Sequence, residues 1–451
     1  MPHVTAEPTT EPSARSTGAL ANRDYRIFAA GQFVSNLGTW TQDTALKWLV
    51  FAVLTRDTWQ LGVVGFLQQI PVLLLGLWAG VIADRVDRRR LLMATQAVLL
   101  VQSTVLAVLT LWPDGDGISI VRLWHLYALA ALAGTAQAFD MPVRQAILPS
   151  LVPRADLHNA VALNSLSFNA ARILGPATAG IVIARAGSWF PGRVGFGEGI
   201  CFAANAVSFF AVLLSLAWIR PSPSPQATTT GALTDAAAGH FARLTEGFRY
   251  VLNRPHLGAI LAFVAIAATF ALPYLMLVPV YATVVLHGDS RTQGWLTSAI
   301  GAGALAGGAA MASQRNTRGL AMVIATATAL FAVSISLLAL LPAGLPRACI
   351  LLAWSGFCMV IAMIGCQTLM QSLVADPVRG RVMSLYSMVN VGCMPFGGLL
   401  TGGLARVVPV QNVMLLNSAA VLLTVAVFWR RLPRLRASAR ATEEFQSFPA
   451  S

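Results

Sequence analysis

Two long apolar runs joined by a short charged turn leave this chain very few ways to fold. The runs cover 61–83 and 91–112, each matching the ~20 residues a helix needs to cross a bilayer. Between them lies Asp84-Arg85-Val86-Asp87-Arg88-Arg89-Arg90. A turn this short lays the two helices side by side, antiparallel. Its arginines belong in water or among lipid headgroups, so the turn marks one face of a membrane. The tendency of cytoplasmic loops to be basic accounts for Arg85, Arg88, Arg89 and Arg90. It does not account for Asp84 and Asp87 set among them, or for Gly80. That glycine lies one helical turn before Asp84 on the same face, where a neighbouring helix can approach closely.

Composition extends the membrane reading to the whole chain. Hydrophobic residues make up 56% and charged residues 11%, with a mean hydropathy of +0.67. A soluble domain carries about 25% charged residues. Spans are expected near 28–54, 60–82, 91–112, 123–143, 158–186, 198–219, 257–286, 293–313, 319–341, 347–372, 382–408 and 411–430, about twelve in all by length and hydropathy. With the turn after Asp84 inside, both termini are cytoplasmic, and arginines assigned inside outnumber those outside by roughly threefold. The net charge of +13 raises a nucleic-acid reading, but the arginines follow the membrane face and form no continuous patch. Residues 1–22 hold Pro, Thr and Glu without an apolar stretch; they read as a disordered cytoplasmic tail and not a signal peptide.

The longest polar break runs from Arg220 to Pro255. Its Pro221–Pro225 part is an extended linker. Phe241, Leu244, Phe248 and Leu252 then recur at helical spacing among Arg243, Arg249 and Arg254, as in an amphipathic helix on the inner membrane surface. The expected division is a 1–22 tail, a 23–220 bundle, a 221–256 linker, a 257–431 bundle and a 432–451 cytoplasmic tail. The two bundles repeat each other. Gln145, Ser150, Leu151, Val152, Leu163, Ser165, Gly175 and Gly180 return as Gln367, Ser372, Leu373, Val374, Leu385, Ser387, Gly397 and Gly402, at one fixed offset of 222. Parallel repeats of this kind hold a substrate site between them near the midplane.

Gly80, Asp84, Arg85, Arg88 and Arg89 fill the pattern Gly, three residues, Asp-Arg, two residues, Arg-Arg/Lys. It resembles the loop between the second and third helices of the major facilitator superfamily. Residues 139–146, 151–153, 159–165, Arg172-Ile173-Leu174-Gly175-Pro176 and 380–386 resemble one branch of it, which holds the bacterial enterobactin exporter and related drug and macrolide efflux proteins. The similarity covers nearly all of 22–431. It implies an all-α polytopic membrane protein, twelve transmembrane helices in two pseudo-symmetric six-helix bundles. It also implies that the loop latches the two halves on the cytoplasmic side. In that latch Asp140 would pair with Arg88 when the side is shut, Arg144 closes the same span, and Asp84 would face the eleventh-helix N-terminus near Arg381. The 313–318 turn of the second half is basic but has lost the aspartates, so the latch is asymmetric.

The chain holds no Walker loop, which needs Gly-Lys-Ser/Thr; its one lysine, Lys47, lies inside a span. Transport would therefore use an ion gradient or none. Proton coupling requires a titratable group at membrane depth. Asp43 is the candidate, with Lys47 one turn further on the same face; the pair is equally readable as self-satisfied and structural. Arg172, in the middle of the fifth span, is either a counter-charge for a carboxylate such as Asp43 or a structural arginine on carbonyls opened by Pro176. The deep arginine of the fourth helix that proton antiporters carry is absent. Gly175, Pro176 and Gly180 are expected to pack on the eighth span, where Gly303 and Gly307 form a small-xxx-small face.

Asn36, Gln42, Gln68, Gln69, Gln137, Asn164, Asn169, Asn205, Gln367 and Asn390 are polar at apolar depth and are either cavity-lining or helix-to-helix bonds. Trp40, Trp48, Phe270, Tyr274, Tyr281, Trp354 and Phe357 offer aromatic faces, or pack against lipid. The five cysteines show no metal spacing and the chain needs no cofactor. The expected partners are a small-molecule substrate, protons and the lipid bilayer, with no nucleic acid, and the chain is expected to act as a monomer. Its leading function is secondary active export of a bulky amphipathic compound from the bacterial cytoplasm, against protons. An uptake symporter and a transport-inactive sensor of the same fold are the alternatives. An enzyme is not expected.

Overall fold

The computed structural model describes residues 18–113, 120–219, 245–314 and 319–446, with the side chains of Leu77, Val81, Asp84, Arg85 and 431–446 outside that set. The 1–17 part of the expected tail, the Pro221–Pro225 linker, Phe241, Arg243, Leu244 and the 315–318 turn also lie outside the described residues.

Helices begin where the sequence supplies an acceptor for orphaned amides. Asn22 caps α1 (Arg23–Trp48) by accepting from Asp24 N and Tyr25 N, and Asp24 adds a negative charge to the first turn. Asp57 caps α2 (Thr58–Arg85), Asp87 caps α3 (Arg88–Leu111), and Asp289 caps α10 (Ser290–Ser313). Asp87 is thus spent on the turn itself, taking Arg90 N at 2.8 Å. The remaining helices of the first half are α4 (Leu123–Ile147), α5 (Leu157–Trp189) and α6 (Phe196–Trp218). A short helix α7 covers 245–252. The second half holds α8 (Pro255–Phe270), α9 (Tyr274–Val280), α11 (Leu320–Leu340), α12 (Leu345–Leu373), α13 (Asp376–Val407) and α14 (Val410–Gln446).

With α8 and α9 forming one broken rod, the described chain makes twelve long rods. Ten are long and apolar enough to cross a membrane on length and composition. The other two, α1 and α4, are diluted by Asn36, Gln42, Asp43 and Lys47 and by His125, Gln137, Asp140 and Arg144. Both pack within the first bundle, α1 on α5 and α6, α4 on α2 and α3, where polar groups find partners. Val101, Val105 and Val108 on α3 and Val207, Phe210 and Leu214 on α6 form exposed stripes at helical spacing, as a lipid-facing surface requires.

The two halves pack alike. In the first, α1 lies on α5 and α6, α2 on α4, and α3 on α6; in the second, α8 lies on α13 and α14, α10 on α12, and α11 on α14. The leading rod of each half ends in a π-helical segment, Leu49–Thr55 and Tyr281–Val285, followed closely by a left-handed residue, Arg56 (φ 55°) and His287 (φ 50°). Residues 18–22 of the expected tail are docked: Gly18 N donates to Asp156 Oδ1 and Ala19 N to Asn159 Oδ1. At the other terminus α14 continues helically through Gln446, past the residue where the span was expected to end.

The first bundle is joined inside by a polar network rather than by apolar packing alone. Gln42 Nε2 donates to Gln102 Oε1 at 3.2 Å, and Gln42 Oε1 accepts from Ser103 Oγ at 2.8 Å and Asn205 Nδ2 at 2.9 Å. Ser208 Oγ donates to Asn205 Oδ1 at 2.9 Å. Three helices, α1, α3 and α6, meet there. Truncating Asn205 to alanine removes two of these bonds in a dry site and should cost about 1–3 kcal/mol, read as an earlier transition in thermal unfolding of the detergent-solubilised protein.

Candidate functional site

Two seams join the halves, and both lie at the end of the molecule opposite the α2–α3 turn. In one, Ser290 Oγ at the start of α10 donates to Gly180 O of α5 at 3.0 Å. In the other, Thr58 Oγ1 at the start of α2 donates to Gly402 O of α13 at 2.8 Å. Each hydroxyl is on the first residue after a capping aspartate, and each glycine belongs to the repeated pair found in the sequence. The approach is backbone-close: a Cβ on Gly180 would lie 2.6 Å from Ser290 O, and one on Gly402 would lie 2.8 Å from Thr58 O. Ser298 Oγ adds a bond to Ile173 O at 2.6 Å, and Phe66 meets Phe396 edge-on at 5.5 Å between ring centres.

The α5–α10 seam uses Gly180 and Pro176 as expected, but not Gly175, Gly303 or Gly307. Gly294 and Gly301 of α10 face α5, at Pro176 O and Arg172 O. Gly303 and Gly307 face Ala353 and Phe357 of α12. Gly303 is two residues beyond Gly301, about 200° around the helix, so the two cannot serve one neighbour. Gly175 packs on α1, against Trp40 and Thr41, and Thr41 Oγ1 donates to Gly175 O at 3.2 Å.

Towards the turn end the same helix faces part. On α2, Gly62 approaches Gly398 of α13, yet Gly76 and Gly80 have open space where a side chain would begin, as does Gly380 of α13. On α5, Leu166 and Ala162 continue the stripe of Ile173 and are exposed; on α13, Met388 continues that of Gly392 and is exposed. At the turn end these faces of the two halves are therefore uncovered.

At the turn, the arginines tie helix ends within the first half. Arg88 Nη1 donates to Ala146 O near the end of α4. Arg89 Nε and Nη2 donate to Leu216 O and Ala217 O at the end of α6, at 2.7 and 2.8 Å. Cations at helix C-termini meet both free carbonyls and the negative end of the dipole. Asp140 is buried and accepts from Thr95 Oγ1 at 3.1 Å, Gln96 Nε2 at 2.6 Å and Arg144 Nη2 at 2.6 Å. Its partner charge is Arg144, four residues along its own helix; the Arg88 pairing expected of the shut state is not made here. Arg381 pairs with Glu246 of α7. With the turn end open, none of these groups among the described residues bridges the two α1–α6 and α8–α14 bundles. Thr95, Gln96, Glu246 and the Thr58/Ser290 pair were not singled out in the sequence. Only Thr58 and Ser290 carry a readable signal there, a hydroxyl residue after an aspartate at a helix start in both halves.

Near mid-depth, Lys47 Nζ and Asp43 Oδ2 are 2.6 Å apart, both half-buried. Arg172 sits in the middle of α5 and does not join them: among the described residues it makes no hydrogen bond or ion pair, and its Nε is buried without a partner. The Tyr274 ring system of the other half lies within its electrostatic reach. An arginine held unpaired at the bilayer centre costs about 2.5–3.5 kcal/mol on insertion scales.

Of the polar candidates, Gln42 and Asn205 are consumed by the α1–α3–α6 network, and Asn169 Nδ2 donates to Ser165 O of its own helix. Asn36, Gln68, Gln69, Gln137 and Asn164 are half-buried and Gln367 is exposed, with no hydrogen bond to another described residue. Gln69 shares the α2 face of Phe66 and Leu73, which points to the other half. Asn390, with Phe263, Phe331, Met363 and Tyr386, lines an apolar recess of about 40 Å³ between α8, α11, α12 and α13.

Removing both seam hydroxyls, Thr58→Val with Ser290→Ala, should weaken closure at the far end. Interhelical bonds of this kind are worth about 0.6 kcal/mol each, so with both removed amide exchange in the first turns of α2 and α10 should rise by roughly sevenfold. Exchange at the helix ends tied by Arg88 and Arg89 should not change.

The whole chain has known relatives. A family model described as transmembrane secretion effector matches residues 15–450. The chain is 27% identical to the staphyloferrin A transporter of Staphylococcus aureus, over 90% of this chain and 95% of that protein. It is 28% identical to the multidrug efflux pump Tap of Mycolicibacterium fortuitum, over 91% and 95%. It is 26% identical to an enterobactin exporter of Citrobacter koseri, over 80% of each. Among solved structures, a bacterial homolog of the human lysosomal transporter Spinster, inward-facing and unoccupied, superposes with a TM-score of 0.67 at 13% identity, covering 95% of this chain and 99% of that one. That likeness is one of fold. The family consists of membrane transporters and not of enzymes. The chain is thus a multi-pass membrane transporter and belongs to the transmembrane secretion effector family of the major facilitator superfamily.

Proposed function

We propose that this protein exports a bulky amphipathic organic compound, a drug, a siderophore or another natural product, across the bacterial cytoplasmic membrane by alternating access. The observation that carries the reading is the closure at one end only. Hydroxyl-to-carbonyl seams hold the far end shut while the turn end is splayed, and weak seams of this type can form and break in a cycle. In this reading the turn end is cytoplasmic, because it carries Arg88, Arg89 and Arg90, and both termini lie there too. The structure is then the inward-facing state. Closing that face would bring the Asp84 and Arg85 turn to Arg381 and reorganise Asp140, Arg88 and Arg144.

The relatives named for siderophores and for multidrug efflux support a large organic cargo. The apolar recess beside Asn390 suits its apolar part. The chain has no phosphate-binding loop, so a gradient would supply the energy. We assign the coupled proton to Asp43: taking up a proton neutralises the carboxylate and frees it from the Lys47 ammonium, and giving that proton back to water restores the ion pair.

In an efflux-deficient bacterial host, the protein should lower accumulation of at least one member of a panel of siderophores and lipophilic antibiotics, and a protonophore should abolish the difference. Higher accumulation would make it an importer. No change across the panel would overturn the transport cycle in favour of a sensor. Replacing Asp43 with asparagine should uncouple export from the gradient. Unchanged gradient-driven export by that variant would leave the Asp43–Lys47 pair structural.

A further inference from the structure

We propose that Arg172 is the anchor for an anionic group, a carboxylate or a phenolate, on the transported compound. The inference rests on the transporter reading above and adds the charge of the cargo. Three observations lead to it. The guanidinium has no protein partner among the described residues, although Nε is buried and Arg172 lies midway along α5. Asp43, the carboxylate expected as its counter-charge, is already committed to Lys47 at 2.6 Å and leaves the Arg172 charge uncompensated. The carbonyl left without its helical donor by Pro176 is Arg172's own, and it lies against Gly301; the arginine side chain is not used to satisfy it.

Position gives the site its access. Side chains on a helix lean towards its N-terminus. For α5 that direction is the turn end, so Arg172 leans away from the seams and towards the uncovered faces of the two halves. One turn below it on the same face is Phe168, exposed, with Trp40 edge-on at 5.8 Å between ring centres. A planar guanidinium beside an aromatic pair matches a flat, aromatic or conjugated acid better than an aliphatic cation. A cationic cargo would meet an uncompensated like charge at this depth. The arginine is also the one described group at mid-depth whose charge a substrate could cancel on arrival.

The test uses the purified full-length protein in detergent and two probes of one shape, 9-anthracenecarboxylate and 9-anthracenemethanol, read by energy transfer from tryptophan. The wild type should bind the carboxylate about tenfold more tightly than the alcohol, the value of one charge-assisted bond. Arg172→Met should erase that preference while keeping the alcohol's affinity, and Arg172→Lys should retain most of it. Thermal unfolding establishes that each variant is folded. Equal binding of both probes, or no carboxylate binding, by the wild type overturns the proposal. So does a folded R172M that keeps the preference, or one that loses both probes together, which would give the arginine a structural role. The export reading is judged separately. A protein that lowers accumulation but shows no anion preference keeps export and loses this site. A protein that prefers the carboxylate but moves nothing keeps the site and loses export.

Discussion

Everything in this molecule depends on how little holds its halves together. Thr58 to Gly402 and Ser290 to Gly180 are single neutral hydrogen bonds, each from a side-chain hydroxyl to a carbonyl that already serves its own helix. In a membrane there is no hydrophobic drive between apolar surfaces, so association relies on close packing and such bonds. The glycines provide the packing by letting backbones meet. The result is an interface that fits closely and is held weakly. An ion-paired interface buried at the same depth would be costly to open, because each separated charge would stand alone in a low dielectric.

Apart from a long Arg406–Asp57 ion pair of 3.7 Å at the exposed rim of the α2–α13 seam, the strong interactions are placed where nothing has to come apart. Arg88 and Arg89 bind the ends of α4 and α6, Asp140 collects Thr95, Gln96 and Arg144, and Gln42 draws α1, α3 and α6 together. All of these lie within the first half. Each makes that bundle a stiffer body, and two stiff bodies with weak seams move as units. The second half shows no comparable buried polar network in the described residues; its interior is the apolar cluster around Leu257, Phe263, Met370 and Phe428. Stiffness there comes from packing, and the apolar recess is the gap that packing leaves.

Much of this could be read from the chain beforehand. Apolar run length, arginine placement and the fixed repeat at 222 lead to twelve rods in two halves. The i,i+4 spacing of Asp43 and Lys47 places them in contact. The rest was hidden for definite reasons. Periodicity says that Gly303 and Gly307 share a face, but not which neighbour that face meets. The pairing of Asp140 with Arg88 was expected for the shut state; the partner it takes here, Arg144, lies one helical turn away on its own helix. Thr58 and Ser290 are 232 residues apart, while Gly180 and Gly402 are 222 apart. The loops differ in length between the halves, so a comparison at one offset finds the glycines and passes over the hydroxyls that bind them.

Lys47 has one further consequence, which belongs to covalent chemistry. It is the only side chain in the sequence with an ε-amine, and that amine is held as an ammonium against Asp43 at 2.6 Å. An ammonium is not a nucleophile. The chain therefore presents acylating reagents with a single interior target that is silent while the pair is closed and reactive only when the carboxylate has let go and the proton has left. The molecule carries its own built-in reporter on the state of one ion pair, at a position where no residue has to be introduced.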